Sequence, residues 1–296
     1  MTRREFLAAP AAGAAPTSRP RFRKGICAII FPKDMPLEQQ FRQARDAGFE
    51  GLEIPLGDWL PLDTGRDQAQ RLADAARQSG IEIVSLWVSA PLSPNPLNHP
   101  DPEVRARGVE ALRKAIALAS WMDCGVLLIV PGRLGTGPRF QIGYQDTWDR
   151  VSAEMKKVVP DAAKARVCLA PENVWNRFLV SPLEMRAFVD QFRSPWVGAY
   201  FDIGNILQYG YPQDWILTLG KRIQRVHAKD YKLSTRAEQG RFVDLLEGDV
   251  DWKDVMAALV KVGYQGFISP EYGYRPEDPD YLRKISTALD KILAMA

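Results

Sequence analysis

The sequence predicts a (β/α)8 barrel folded as a single domain, and three observations carry that expectation: eight short β-rich apolar runs, an amphipathic segment after each, and turn chemistry at the boundaries. The runs are Gly25–Phe31, Glu50–Pro55, Glu82–Val88, Gly125–Val130, Arg166–Glu172, Val197–Asp202, Ile223–His227 and Gly266–Glu271. The segments between and after them, with apolar residues at helical period, are Pro36–Ala47, Gln68–Gln78, Pro102–Trp121, Thr147–Lys164, Pro182–Phe192, Pro212–Leu219, Asp251–Val262 and Pro279–Ala294. Asp46-Ala47-Gly48, Gln78-Ser79-Gly80 and Lys261-Val262-Gly263 each place glycine where a helix needs a left-handed C-terminal cap. Asp101-Pro102 and Ser181-Pro182 each supply an N-cap side chain before a proline whose missing N–H costs nothing. An open doubly wound sheet is the competing architecture, but it usually carries a glycine-rich phosphate loop after its first strand. Phe31-Pro32-Lys33-Asp34 is not one.

Composition bounds the function. The chain has 296 residues, 46% hydrophobic and 25% charged, with no Ser/Gly-rich linker, so one barrel accounts for residues 21–296. The formal charge of +3 is spread among acidic residues without a basic stripe, so nucleic acid is not an expected partner. No run reaches the roughly 18 apolar residues of a membrane span. Cys27, Cys124 and Cys168 lie in or beside apolar runs and read as inert core thiols. Residues 1–20 stand apart: Thr2-Arg3-Arg4-Glu5-Phe6-Leu7 and the Ala-rich stretch to Ala15 resemble a twin-arginine export signal, the alternative being a plain disordered tail. A true signal makes the protein periplasmic, and a tail makes it cytoplasmic.

In a parallel barrel the chemistry comes from the C-terminal ends of the strands. Here strand five ends in Ala170-Pro171-Glu172-Asn173, strand six in Phe201-Asp202-Ile203-Gly204-Asn205, strand seven in Val226-His227-Ala228-Lys229-Asp230, and strand eight in Ser269-Pro270-Glu271-Tyr272. Four consecutive strands thus deliver Glu172, Asp202, His227 and Glu271 to one rim. A lone acid after a strand is more often a helix cap, and Asp202 can cap the turn before Ile206. Three carboxylates at equivalent positions of successive units would repel one another without a cation. This donor set suits Mn²⁺, Co²⁺ or Mg²⁺ better than structural Zn²⁺, though Zn²⁺ is possible.

At these residues the chain resembles the xylose-isomerase-like TIM-barrel superfamily, in its sugar and sugar-phosphate epimerase/isomerase branch. The resemblance runs from about Gly25 to Met295. It rests on Gly48-Phe49-Glu50-Gly51-Leu52-Glu53, Pro100-Asp101-Pro102-Glu103-Val104-Arg105, Val130-Pro131-Gly132, Glu172-Asn173-Val174-Trp175-Asn176-Arg177-Phe178, Asp202-Ile203-Gly204-Asn205, His227-Ala228-Lys229-Asp230 and Gly248-Asp249-Val250-Asp251-Trp252. It implies that Glu172, Asp202, His227 and Glu271 hold one metal ion and that Glu172 and Glu271 also act as acid and base. Asn176 and Asn205 become substrate contacts. Two departures bear on the sugar: Asn205 stands where free-ketose 3-epimerases carry a His, as in the pentulose-phosphate branch, and Leu179 replaces a substrate-binding Glu. Glu53 is either a substrate contact or a group behind the site. Trp87, Trp175 and Tyr272 are candidates for an apolar wall. Lys229, Lys232, Arg236 and Arg241 fall in the long Lys229–Val250 connection, which is read as a lid whose cations hold a phosphate or acidic sugar or stay solvated. His99 is either a loop residue or part of the pocket rim.

The expected function is a metal-dependent epimerase or isomerase moving protons on a small keto-sugar or its phosphate. A metal-dependent keto-sugar lyase or dehydratase resembling inosose dehydratase and a non-catalytic sugar-binding barrel remain alternatives. Export would favour an unphosphorylated oxidised sugar or keto-glycoside. A three-zinc DNA-repair site is disfavoured by a histidine complement of His99 and His227, and a two-metal hydride-shifting isomerase by the missing second ligand set. A homodimer is the common habit of the family.

Overall fold

The computed structural model describes residues 22–135, 142–234 and 240–296. The leader read at residues 1–20, and Arg236, lie outside them. Eight parallel strands form a nearly closed barrel: β1 Arg23–Cys27, β2 Gly51–Pro55, β3 Glu82–Trp87, β4 Val126–Ile129, β5 Cys168–Pro171, β6 Ala199–Asp202, β7 Ile223–Ala228 and, after the hairpin described below, β10 Phe267–Pro270. They run β5-β4-β3-β2-β1-β10-β7-β6, and isolated parallel bridges Leu169–Val197 and Glu172–Tyr200 join β6 back to β5.

The outer helices are α1 Leu37–Asp46, α2 Arg66–Gln78, α4 Pro102–Trp121, α5 Tyr144–Ala165, α6 Pro182–Asp190, α8 Pro212–Leu219, α9 Trp252–Lys261 and α10 Tyr281–Leu293, with short α3 Ser89–Leu92 and α7 Gly204–Leu207 on the rim. Their starts follow the caps. Asp101 Oδ1 accepts from Glu103 N–H at 2.8 Å, and Ser181 with Glu184 forms a reciprocal capping box. Gly48, Gly80 and Gly263 take the left-handed conformation that the helix ends require.

Two apolar layers hold the barrel together. Residues that alternate outward on the strands, such as Leu52, Ile54, Leu127, Leu169 and Phe201, pack on the helices in one continuous core. Val126, Leu128, Cys168, Ala170 and Tyr200 fill a smaller cluster, with Trp87 and Val130 against it. The three cysteines are buried and unpaired, and burial pushes the Cys124 thiol up to about 11 and the Cys168 thiol up to about 12. Among the described residues no helix is long and apolar enough to cross a membrane.

Two expectations change. The first strand stops at Cys27, and Ala28–Ile30 forms a 3₁₀ turn closed by Phe31 N–H to Ala28 O at 3.0 Å. That run is apolar because the turn is buried, and apolarity alone does not separate a strand from a buried turn. The Lys229–Val250 connection contains an antiparallel hairpin, β8 Asp230–Lys232 with β9 Arg241–Val243, pinned at its base. Fully buried Asp230 accepts from Tyr231 N–H (2.9 Å), Val250 N–H (3.3 Å), Leu246 N–H (2.9 Å) and the Trp252 indole (3.0 Å). A Cβ at Gly248 would lie 2.0 Å from that carboxylate, so only glycine fits. Asp230→Ala strands four donors, three of them in buried bonds; it is expected to lower the unfolding free energy by about 3 kcal/mol in denaturant titration, against no change if the clamp is ornamental.

Candidate functional site

Going round the barrel, β5, β6, β7 and β10 form one arc, and their C-terminal ends bring Glu172, Asp202, His227 and Glu271 together. One donor atom from each lies within 4.8 Å of the others. Glu172 and Glu271 follow immediately after their strands, Asp202 ends β6, and His227 sits directly across from it in register. Asp202 divides its two oxygens. Oδ1 caps the α7 turn by accepting from Asn205 N–H at 2.8 Å, while Oδ2 is buried without a hydrogen bond. Lys229 Nζ lies 2.8 Å from Oδ2 but donates to Glu271 Oε2, also at 2.8 Å. Gly204 makes this turn possible, since a Cβ there would come within 2.7 Å of the Lys229 backbone oxygen.

His227 is wholly buried between carboxylates. Nδ1 faces Glu172 Oε1 at 2.9 Å, Glu271 Oε2 at 3.1 Å and Asp202 Oδ2 at 3.8 Å. Nε2 faces Glu53 Oε1 at 2.9 Å. Burial opposes charge on this ring, yet Glu53, Glu271 and Glu172 outweigh it and hold the imidazole well above its ordinary range. Burial likewise works against Lys229, and Asp202, Glu271 and Glu172 outweigh it. Burial pushes Glu172 up to about 7 and raises Asp202, whereas Lys229 and His227 hold Glu271 well below the usual carboxylate range despite its burial. The same field attracts a dication. Asp202 Oδ2, which has no hydrogen bond, together with the shared focus of three carboxylates and the Nδ1 edge of an imidazole fits a divalent ion held by oxygen and nitrogen donors.

A cavity of about 420 Å³ opens above the cluster, and Glu172, Glu271 and Lys229 line it, with Trp87, Val174, His99 and Arg133 among its walls. Trp87 and His99 therefore stand where a substrate would meet them. Glu53 does not, being wholly buried in the barrel behind His227. Asn176 is a brace: its amide donates to Gly132 O at 2.6 Å and its oxygen accepts from Phe178 N–H at 3.0 Å. Asn205 donates to Asn173 O at 3.0 Å. Tyr272 serves the hairpin, its hydroxyl accepting from Asp230 N–H at 3.0 Å and donating to Val243 O at 2.9 Å. Trp175 stacks on Phe242 with ring centroids 5.1 Å apart. Arg241 lies exposed on β9 outside the cavity wall, and Lys232 is bound to Asp249.

Four residues escaped the sequence reading. Arg133, in the loop after β4, is exposed at the cavity wall with no ion-pair partner among the described residues. Ser85 and Tyr200 both bond to Glu53. Asn173 stitches the barrel's weakest seam: its amide donates to Asp202 O at 2.8 Å and its oxygen accepts from Asp202 N–H at 2.9 Å, copying a strand ladder where β5 and β6 have only bridges. Its adjacency to Glu172 was the available signal. Asn173→Ala is expected to cost about 2–3 kcal/mol of stability, since both Asp202 backbone groups lose a buried partner. It should also weaken metal binding in calorimetry, whereas an unchanged melting curve and affinity would remove the stitch from the account.

Comparison with known proteins agrees with this geometry. Residues 41–292 match the family model described as xylose isomerase-like TIM barrel. The L-ribulose-5-phosphate 3-epimerase UlaE of Salmonella paratyphi C is 29% identical over 246 residues, covering 80% of this chain and 84% of the relative. Among solved structures, D-psicose 3-epimerase of Clostridium cellulolyticum H10 with D-tagatose superposes with a TM-score of 0.75 at 19% identity, covering 93% of this chain and 99% of that one. An L-ribulose 3-epimerase superposes at 0.74 and 24% identity, covering 92% and 95%. At these identities the structural likenesses show the fold. The matched segment spans most of the barrel, and the chain belongs to the xylose isomerase-like TIM-barrel family.

Proposed function

We propose that the protein is a metal-dependent epimerase or isomerase of a small ketose or ketose phosphate, working by proton transfer. One observation carries the reading: of the four clustered ligands, Glu172 and Glu271 line the cavity while Asp202 and His227 are sealed beneath it. The two cavity-lining carboxylates come from the two ends of the four-strand arc and so flank a substrate from opposite sides. Removal of a proton from one face of a carbon and its return to the other needs that placement. Relatives named as sugar 3-epimerases support the same chemistry.

The residues divide the work. Glu172 and Glu271, one from each end of the arc, take the proton from one face and return it on the other. For the opposite epimer the two exchange roles. Lys229 Nζ reaches into the cavity and supplies a fixed positive charge beside the substrate oxygens. A divalent ion held by Glu172, Asp202, His227 and Glu271 would stabilise the negative charge that develops on a carbonyl oxygen as the neighbouring C–H proton leaves. A lyase that expels a β-leaving group from the same carbanion differs only in the fate of the substrate.

Incubation of the metal-loaded protein in D₂O with ketoses and ketose phosphates is expected to place deuterium at one carbon while the sugar skeleton is retained. Loss of a group would indicate the lyase. Glu172→Gln and Glu271→Gln should each lower turnover by about 10²–10⁴. A Glu271→Gln protein that binds metal and keeps full turnover ends the reading. Arg133 lines the wall with no ion-pair partner among the described residues, so Arg133→Gln should raise KM for a phosphorylated ketose about tenfold or more while changing KM for the free sugar little. Equal effects on both substrates would remove Arg133 from anion recognition.

A further inference from the structure

The carboxylate behind His227 has no place in the proton transfers. Glu53 is 0% exposed, so neither solvent nor a substrate in the cavity reaches it. Its Oε1 meets His227 Nε2 at 2.9 Å, and its Oε2 receives the hydroxyls of both Ser85 and Tyr200. An acid buried to this depth costs several kcal/mol unless its partners compensate, and here three donors converge on one carboxylate. Burial pushes Glu53 up, and His227, Ser85 and Tyr200 bring it below its ordinary value.

The backbone is shaped for this arrangement. The barrel's register slips between Leu52 and Glu53, where β3 skips Val84 so that Glu53 pairs with Ser85. It slips again between Ala199 and Tyr200, where β7 skips Gln224. Each irregularity falls at a residue that ends on the Glu53 carboxylate, and such slips re-aim side chains next to active sites. Tyr200 serves twice, since its ring also lies against the imidazole with centroids 4.5 Å apart. Cys27, opposite Glu53 in register, stays neutral because burial and the nearby carboxylates push its thiol up.

We propose that Glu53, held by Ser85 and Tyr200, is a positioning residue that fixes His227 with Nε2–H pointing inward, so that Nδ1 is the nitrogen presented to the metal. This rests on the metal reading above and adds to it which nitrogen binds and what holds it there. An imidazole has two usable nitrogens, and the hydrogen bond at one decides the chemistry of the other. Glu53 accepts only the proton on Nε2; Nδ1 would then share the ion with the facing carboxylates of Glu172, Asp202 and Glu271. Ser85 and Tyr200 keep Glu53 from swinging toward the cation itself.

The chain makes this directly observable because His99 and His227 are its only histidines. In full-length protein labelled with ¹⁵N-histidine and loaded with diamagnetic Mg²⁺ or Zn²⁺, two imidazoles appear, and the His99→Gln spectrum assigns them. His227 is expected to carry its proton on Nε2 with Nδ1 shifted by the metal; a proton on Nδ1 with Nε2 ligated overturns the proposal. Calorimetric titration with Co²⁺ and the visible Co²⁺ spectrum give the second readout. Glu53→Ala should weaken binding about 10- to 100-fold and alter the spectrum, Glu53→Gln less because its amide oxygen still accepts from Nε2, and Tyr200→Phe least. Should Glu53→Ala fail to fold, the Gln and Phe variants carry the test. Wild-type protein that takes up no metal overturns the underlying reading and this one together. Wild-type affinity and spectrum in folded Glu53→Gln and Glu53→Ala overturn this one alone.

Discussion

The structure depends on a concentration of negative charge inside the mouth of the barrel. Glu53, Glu172, Asp202 and Glu271 surround one imidazole, three of them at 2.9 to 3.1 Å from it, in a place that excludes water. Isolated carboxylates there would shed their charge by taking up protons. They remain useful as ligands and bases because cations and donors are placed among them. His227 touches all four groups, Lys229 spans Asp202 and Glu271, and two hydroxyls from β3 and β6 close off Glu53. Each carboxylate has a different share of that compensation, so each is suited to a different task. Glu53 is saturated and stays still. Asp202 keeps one oxygen without a hydrogen bond and does not line the cavity. Glu172 and Glu271 face the cavity with opposite protonation tendencies.

A polar cluster of this kind needs a stiff scaffold, and the barrel supplies it by changing character along its axis. The inward positions of β4 and β5 are Val126, Leu128, Cys168 and Ala170, which pack without polar atoms beside Tyr200. One step nearer the rim the inward side chains become Glu172, Asp202, His227 and Glu271. Tyr200 stands at the boundary, with its ring in the apolar cluster and its hydroxyl on Glu53. The closure of β5 on β6 is the weak place, and Asn173 reinforces it directly beside the ligands. The fold and the site therefore share the same hydrogen bonds at that seam, and damage to one is damage to the other.

Most of this was legible in the sequence wherever the signal was local. Helix caps such as Ser181-Pro182 and Asp101-Pro102 act within four residues, and the structure follows them. The convergence of Glu172, Asp202, His227 and Glu271 was legible because strand ends in a parallel barrel share one rim. Asp202 shows why the choice between cap and ligand was a false one, since one oxygen caps and the other is left for an ion. What escaped depends on depth and register. Glu53 lies two residues before the end of β2, so it points inward like the ligands but sits deeper; parity along a strand gives direction, and depth has to be counted from the strand's end. Register slips at Glu53 and Tyr200 leave no mark in a single sequence. The hairpin was hidden because β8 and β9 are three residues each and pair across a long connection.

That hairpin also changes where recognition of the substrate must be sought. A long loop rich in Lys and Arg invites the reading of a lid that grips an anion, yet Lys232 and Arg241 are not among the residues that line the cavity. Lys232 is bound to Asp249, and Arg241 stands opposite it in the hairpin, exposed and outside the cavity wall. The base is locked by Asp230 and by the Arg275–Asp244 pair at 2.6 and 2.9 Å, which resists a swing of the whole element. The contribution of this side of the mouth is Lys229, and Phe242 lies 5.3 Å from its ammonium, limiting where that charge can go. A cation placed this way serves the reacting oxygens beside Glu271, leaving the far end of a substrate to the opposite wall, where Arg133 and His99 stand. On the proposed reading, selection between a neutral sugar and a phosphorylated one would fall to Arg133 and His99 on that wall, apart from the hairpin and from the carboxylate cluster. A barrel can change its sugar by altering that one wall while the buried charge cluster stays as it is.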